Sequence, residues 1–105
     1  MTPLEILKAA RALITDPQHW TTGDYARDVE GHGVGSGSPD AVAWCAFGAI
    51  SAVGRDASRR HRDSADEALR LACGGLVGDA NDRYGHAYIL AAYDRAIAKL
   101  EGSPQ

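Results

Sequence analysis

Long apolar runs, cysteine and clustered charge are all scarce in this chain, and each scarcity removes a class of protein. The longest uncharged apolar run, Ala41–Val53, is too short to span a bilayer. No charged segment followed by an apolar one opens the chain, so no secretory signal is expected and the expected location is cytoplasmic. The only two cysteines, Cys45 and Cys73, sit in apolar stretches and form no C-x-x-C pair. The four histidines, His19, His32, His61 and His86, have no zinc spacing. Two buried, reduced thiols are therefore expected, with no metal and no cofactor. The net charge of -3 argues against nucleic acid as the main partner, because gripping phosphates needs a basic surface.

What is abundant is alanine, with 19 residues, against few Val, Ile and Thr, which favours helices over sheets. At 105 residues there is room for a single domain with one core, 1–105. The expected fold is mainly α, a small four-helix domain. Thr2-Pro3-Leu4-Glu5 reads as a capping box that starts a helix over 2–16, stopped by Pro17. Residues 18–38 read as a loop or a small β-hairpin between the first two helices, with Tyr25 to Arg27 facing Gly33-Val34 across a turn. The glycines at 31, 33, 35 and 37 permit that turn but weaken a strand.

Ser38-Pro39-Asp40 reads as the start of a central buried helix over 39–53, ended by Gly54. Val42, Cys45, Ala46, Ala49, Ile50 and Val53 trace one of its faces. Gly48 costs helix propensity, so it is expected to let another stretch of backbone approach closely. The basic segment 55–62 reads as a polar connector. Ser64-Ala65-Asp66-Glu67 is a second capping box opening a helix over 64–73, stopped by Gly74-Gly75. Residues 76–85 read as a loop anchored by Leu76 and Val77. A last helix is expected over 86–101, with Ile89, Tyr93, Ala96, Ile97 and Leu100 facing the core, then a frayed tail.

Chemistry could reside in three places. Cys45 is a candidate nucleophile if a base such as His86 or His32 and the carboxylate of Asp82 converge on it. Its neighbours on the helix face are apolar, which favours a packed core thiol. Asn81-Asp82 either turns the chain or binds a ligand through its amide and carboxylate. Asp24, Tyr25, Arg27 and Asp28 form a polar cluster, and Asp24, Asp28 and Asp82 could surround a divalent cation, although the spacing matches no calcium loop. The glycine run 31–37 spells neither G-x-G-x-x-G nor a Walker motif. Arg55, Arg59, Arg60 and Arg62 could contact a nucleic acid or an acidic partner, but Asp56 and Asp63 dilute their field, which favours a solvated connector.

The order of Trp20, Gly23, Tyr25-Ala26-Arg27-Asp28, Trp44-Cys45-Ala46-Phe47-Gly48-Ala49, Asn81-Asp82 and Ala96-Ile97 resembles a family of small bacterial and phage domains of unknown function. The resemblance covers nearly the whole chain and implies a fold and candidate positions, not a reaction. Ala80 departs from it, where an aromatic residue is expected before Asn81-Asp82, and this should loosen the anchoring of that loop. The leading functional expectation is a non-enzymatic accessory or protein-interaction module, with a protein partner or a second copy meeting Asp24, Tyr25, Arg27, Asp28, Asn81 and Asp82. The alternative is a small enzyme or ligand binder using Cys45, His86 and Asp82, or a carboxylate-metal site.

Overall fold

Helix α1 (Pro3–Leu13) forms where the capping box is written: Thr2 Oγ1 accepts from Glu5 N at 3.1 Å, and Glu5 Oε1 accepts from Thr2 N at 2.8 Å. In this computed structural model, which describes residues 1–102, α1 lies against three further helices, α2 (Ala46–Val53), α3 (Arg59–Cys73) and α4 (Val77–Gly102). The mainly α, four-helix expectation holds. Ile6, Leu7, Ala10 and Ile14 of α1 meet Ala49 and Ile50 of α2, Ala65 and Leu69 of α3, and Ile89, Tyr93 and Ala96 of α4 in one core. Burying each large apolar side chain contributes about 1.5–3 kcal/mol. The alanines between them let the helix axes come close. Arg11 ties α1 to α4 by a forked contact to Asp94, at 2.6 and 3.2 Å.

The hairpin forms: β1 (Ala26–Arg27) pairs antiparallel with β2 (Gly33–Val34), in register Ala26 with Val34. A third strand, β3 (Ala43–Trp44), pairs on the other edge of β1, giving the order β2-β1-β3. This corrects the expected central helix over 39–53, whose first half is extended. Ser38 does not cap a helix. Its hydroxyl accepts from Asp40 N at 3.1 Å, and its carbonyl accepts from Ala41 N at 3.2 Å, which closes a turn. The true cap is Cys45, whose Sγ accepts from Gly48 N at 3.2 Å. Backbone hydrogen bonding along β1 thus claims residues 42–45: Val42 N donates to Arg27 O and Cys45 N to Tyr25 O.

Three other boundaries move. The first helix ends at Leu13, short of the expected 16, with Ile14 as its cap, and a short 3₁₀ turn (Pro17–His19) follows. Helix α3 starts at Arg59 rather than 64, because Ser58 Oγ accepts from His61 N, so Ser64 lies inside the helix and the second half of the expected connector is helical. Residues 77–84 are helical rather than a loop. Gly85, at φ 88° and ψ -179°, then breaks α4 before the stretch expected to be its only helical part. Leu76 is not an anchor, being 72% exposed; Val77 and Ala80 are the buried residues there. The helix continues through Gly102, one residue past its expected end; the rest of the expected tail, 103–105, lies outside the described residues. Among the described residues no helix is long and apolar enough to cross a membrane.

Candidate functional site

Asn81 is wholly buried and every polar atom of its amide is engaged. Its Oδ1 accepts from the Trp20 indole N–H at 2.8 Å and from Ala46 N at 2.9 Å. Its Nδ2 donates to Thr21 O at 3.0 Å and to Asp82 Oδ1 at 3.2 Å. Asn81 therefore fixes the 20–21 segment and the first turn of α2 to α4, and its amide is occupied by these structural bonds. Ala80, before the pair, is itself buried.

Next to this hub lies a cleft with two lobes that share Tyr25, Cys45 and Gly78. The polar lobe, about 370 Å³, is bounded by Gly23, Asp24, Asn81 and Asp82. The apolar lobe, about 390 Å³, is bounded by Phe47, Leu76 and Val77 on one side and by Asp63, Asp66, Glu67 and Arg70 of α3 on the other. Asp82 Oδ1 accepts from Gly23 N at 3.1 Å, which joins the loop before β1 to α4 and sets the width of the polar lobe. Tyr25 is 62% exposed and its ring lies 5.7 Å from that of Phe47. A larger hollow of about 670 Å³ lies on the outer face of α3 and the end of α4, beside Leu71 and Leu100, and is shallow and open.

The expected convergence is therefore half met. Cys45, Asp24, Tyr25 and Asp82 come together at the cleft. His86 does not join them: its Nε2 is 2.7 Å from Ile14 O, and its ring packs 5.3 Å from that of Trp20. His32 stands on the hairpin, 3.6 Å from Asp28. The Cys45 thiol thus has no imidazole base in the cleft. Burial pushes its pKa up, the Asp82 charge adds to this, and the Gly48 and Phe47 backbone groups oppose it in part. Such a thiol is a helix cap and core group, not an activated nucleophile.

Arg27 and Asp28 make their side-chain bonds in and around the hairpin. The Arg27 guanidinium donates to Thr21 Oγ1, Thr22 O and Gly31 O and pairs with Asp24 at 3.0 Å. Asp28 Oδ1 accepts from Glu30 N and His32 N, and the His32 bond in particular holds its carboxyl below the usual range. A cation held by Asp24, Asp28 and Asp82 is not assembled: among the described residues no three His, Cys, Asp or Glu side chains are grouped to hold one. The glycine run 31–37 leads into β3, not into a helix N-terminus, and Ser36 O accepts the Trp44 indole N–H at 3.0 Å.

Sequence reasoning missed Asp66. Its Oδ1 is buried and accepts no hydrogen bond, which is unusual for a carboxylate. Burial, reinforced by the Asp63 charge and opposed by Arg62, lifts its pKa to about 6. The signal was present: Asp66 lies three residues before Leu69 and seven before Cys73, on the stripe that α3 turns inward.

A carboxyl raised in the folded state weakens folding fully above its folded pKa, progressively less as pH falls from there toward the unfolded value, and not at all below the unfolded value. The interval from 3.8 to about 6 corresponds to about 3 kcal/mol, and solvent reaching the half-buried side chain reduces this to about 1–2 kcal/mol. Asp66→Asn is accordingly expected to raise stability at pH 8 by about 1–2 kcal/mol. It should also remove much of the stability that the parent protein gains between pH 8 and pH 5. Urea unfolding at the two pH values measures both. Unchanged or lower stability at pH 8 would show that the oxygen is satisfied in solution.

The model of a family of unknown function (DUF6197) matches residues 1–100 of the chain. No curated protein and no solved structure matches it.

Proposed function

The chain belongs to the family DUF6197, a membership that brings no activity with it, and we propose that it is a non-enzymatic protein-interaction module whose contact surface is the two-lobed cleft around Tyr25. The observation that carries this reading is the pairing of exposed apolar groups with an acidic rim. Tyr25 and Leu76 are 62% and 72% exposed beside Phe47 and Val77, and Asp24, Asp63, Asp66, Glu67 and Asp82 surround them. Arg70 is the one basic residue lining either lobe, and it is held by Glu67 at 2.7 and 3.0 Å.

The occupant that fits is a segment of another protein carrying an apolar side chain next to basic ones. Apolar area supplies the attraction and the rim supplies register and selectivity. A second copy of this chain fits less well, since pairing the same face would oppose two acidic rims in a protein already at -3. The enzyme alternative draws no support from a capped thiol distant from any imidazole.

Random displayed peptides of about a dozen residues, selected on the protein, provide the test. Enriched peptides should combine apolar and basic residues, and the double variant Tyr25→Ala, Leu76→Asp should bind them at least about tenfold more weakly. Both positions are exposed, so the fold should survive. No enrichment, or binding indifferent to the two substitutions, overturns the reading. A dimer in sedimentation that the same substitutions dissociate assigns the face to a second copy and overturns it as well.

A further inference from the structure

The apolar lobe has a feature that a generic greasy groove lacks. Asp66, on the inward stripe of α3, lines this lobe, and one of its two carboxylate oxygens is buried and without a hydrogen-bond partner. Arg70, one turn further along the same helix, is committed in a two-pronged contact to Glu67. Arg62, whose charge favours the ionised Asp66, makes its hydrogen bond to Arg55 O. The lobe is also lined by the neighbouring Tyr25 and Phe47 rings and by Cys45, Val77 and Gly78, none of which brings a charge.

We propose that this lobe is the seat of a guanidinium group, an arginine side chain of the partner segment, with Asp66 as its acceptor and the Tyr25–Phe47 pair as its aromatic wall. The proposal rests on the interaction reading above and names the residue that the cleft selects. Guanidinium fits better than ammonium for three reasons. It is planar, so it can lie against an aromatic ring while donating in its own plane. It is weakly hydrated, so it enters an apolar lobe at less cost than a lysine head group. Its hydrogen bond to a carboxylate is charge-assisted, which is the kind that a buried unpartnered oxygen favours most.

Backbone amide NMR at pH 7.5, where Asp66 is mostly ionised, tests this with three small probes: N-propylguanidinium, n-butylammonium and the neutral isostere N-propylurea. The guanidinium should produce saturable shifts at Cys45, Asp66, Val77 and Gly78. Its binding should be at least about tenfold tighter than that of the urea, as expected for a hydrogen bond to a charged group. Butylammonium should fall between them. Asp66→Asn should bring guanidinium and urea within about twofold of each other, whereas Asp63→Asn, which removes another acidic group of the same lobe and leaves Glu67 holding Arg70, should leave the preference in place. The amide spectrum of each variant reports that it is folded.

Equal binding of guanidinium and urea by the parent protein overturns the arginine seat, as does a preference that survives Asp66→Asn. If displayed peptides still bind in a way that needs Tyr25 and Leu76, the interaction reading then stands without it. If guanidinium prefers the lobe but no peptide is enriched, the seat stands and the protein-partner reading falls.

Discussion

Gly48→Ala is expected to destabilise the protein by at least about 3 kcal/mol. A methyl group built on Gly48 would lie 2.0 Å from Tyr25 O and 2.9 Å from the carbonyl carbon behind it. Neither atom can swing away, because both are backbone and Tyr25 O accepts from Cys45 N at 3.1 Å. To make room, β1 must separate from the start of α2, which opens the sheet and the cleft together. Alanine's better helix propensity offsets only about 1 kcal/mol of this. Gly78→Ala is the matched control, a helical glycine with nothing within 4 Å of the added methyl; it should be neutral or stabilising by up to about 1 kcal/mol. Urea unfolding of the two variants beside the parent protein decides it, and equal behaviour would mean that the sheet does not lie on α2 as described.

Asn81→Ala should be damaging to a similar degree, by about 3–5 kcal/mol, since each buried polar group left without a partner costs about 1–3 kcal/mol and the losses are not fully additive. The groups deprived are the Trp20 indole N–H, Ala46 N and Thr21 O. Asn81→Asp separates the two halves of the amide's work. An aspartate can still accept from Trp20 and Ala46, but it cannot donate to Thr21 O, and it stands beside Asp82. It should be strongly destabilised at pH 8 and partly recover near pH 4, where a protonated carboxyl donates again. Tryptophan fluorescence during unfolding reports both the stability and the release of Trp20. A variant as stable as the parent at pH 8 would remove Asn81 from its central position.

Much of the frame was legible in the sequence wherever one local rule acted alone. The Thr2–Glu5 box, the Gly54 and Gly74 stops and the inward face of the last helix are of this kind. Gly48 was also readable: a residue that spoils a helix and stays in it needs a reason in the packing, and Tyr25 O is that reason. The hairpin followed from its turn. What failed were competitions between rules. Residues 42–45 are apolar throughout, so period could not separate strand from helix, and the backbone of β1 decided for strand. Ser38 and Ser58 both look like caps, yet only Ser58 caps a helix, because the chain after Ser38 is drawn into β3.

The stretch 77–84 has Gly78, Asp79, Asn81 and Asp82, which are poor helix formers, and it is held helical by tertiary bonds from Asn81 and by the burial of Val77 and Ala80. Of the candidate site, Cys45, Tyr25, Asp24 and Asp82 were picked out and do share a cleft. Arg27 and Asp28 were picked out for their chemistry and turn out to be spent on the hairpin. Asp66 was passed over because a carboxylate in a capping box already had a reason to be there; only its place on the buried stripe marked it as different.

The position of Asn81 also sets a constraint on how the molecule can be made. The two donors that it satisfies, at Trp20 and Ala46, precede it by 61 and 35 residues. A ribosome delivers both tryptophans, the sheet and three helices before the amide that locks them together. Any intermediate that ends short of it carries an orphaned indole N–H at Trp20 and an unpaired N–H at Ala46. Contacts spanning that much chain form slowly and reward the chain only at the end. Assembly should therefore be all-or-none and late. A nascent chain stalled after Gly75 should remain open to protease and should become resistant only when 76–82 has emerged and docked.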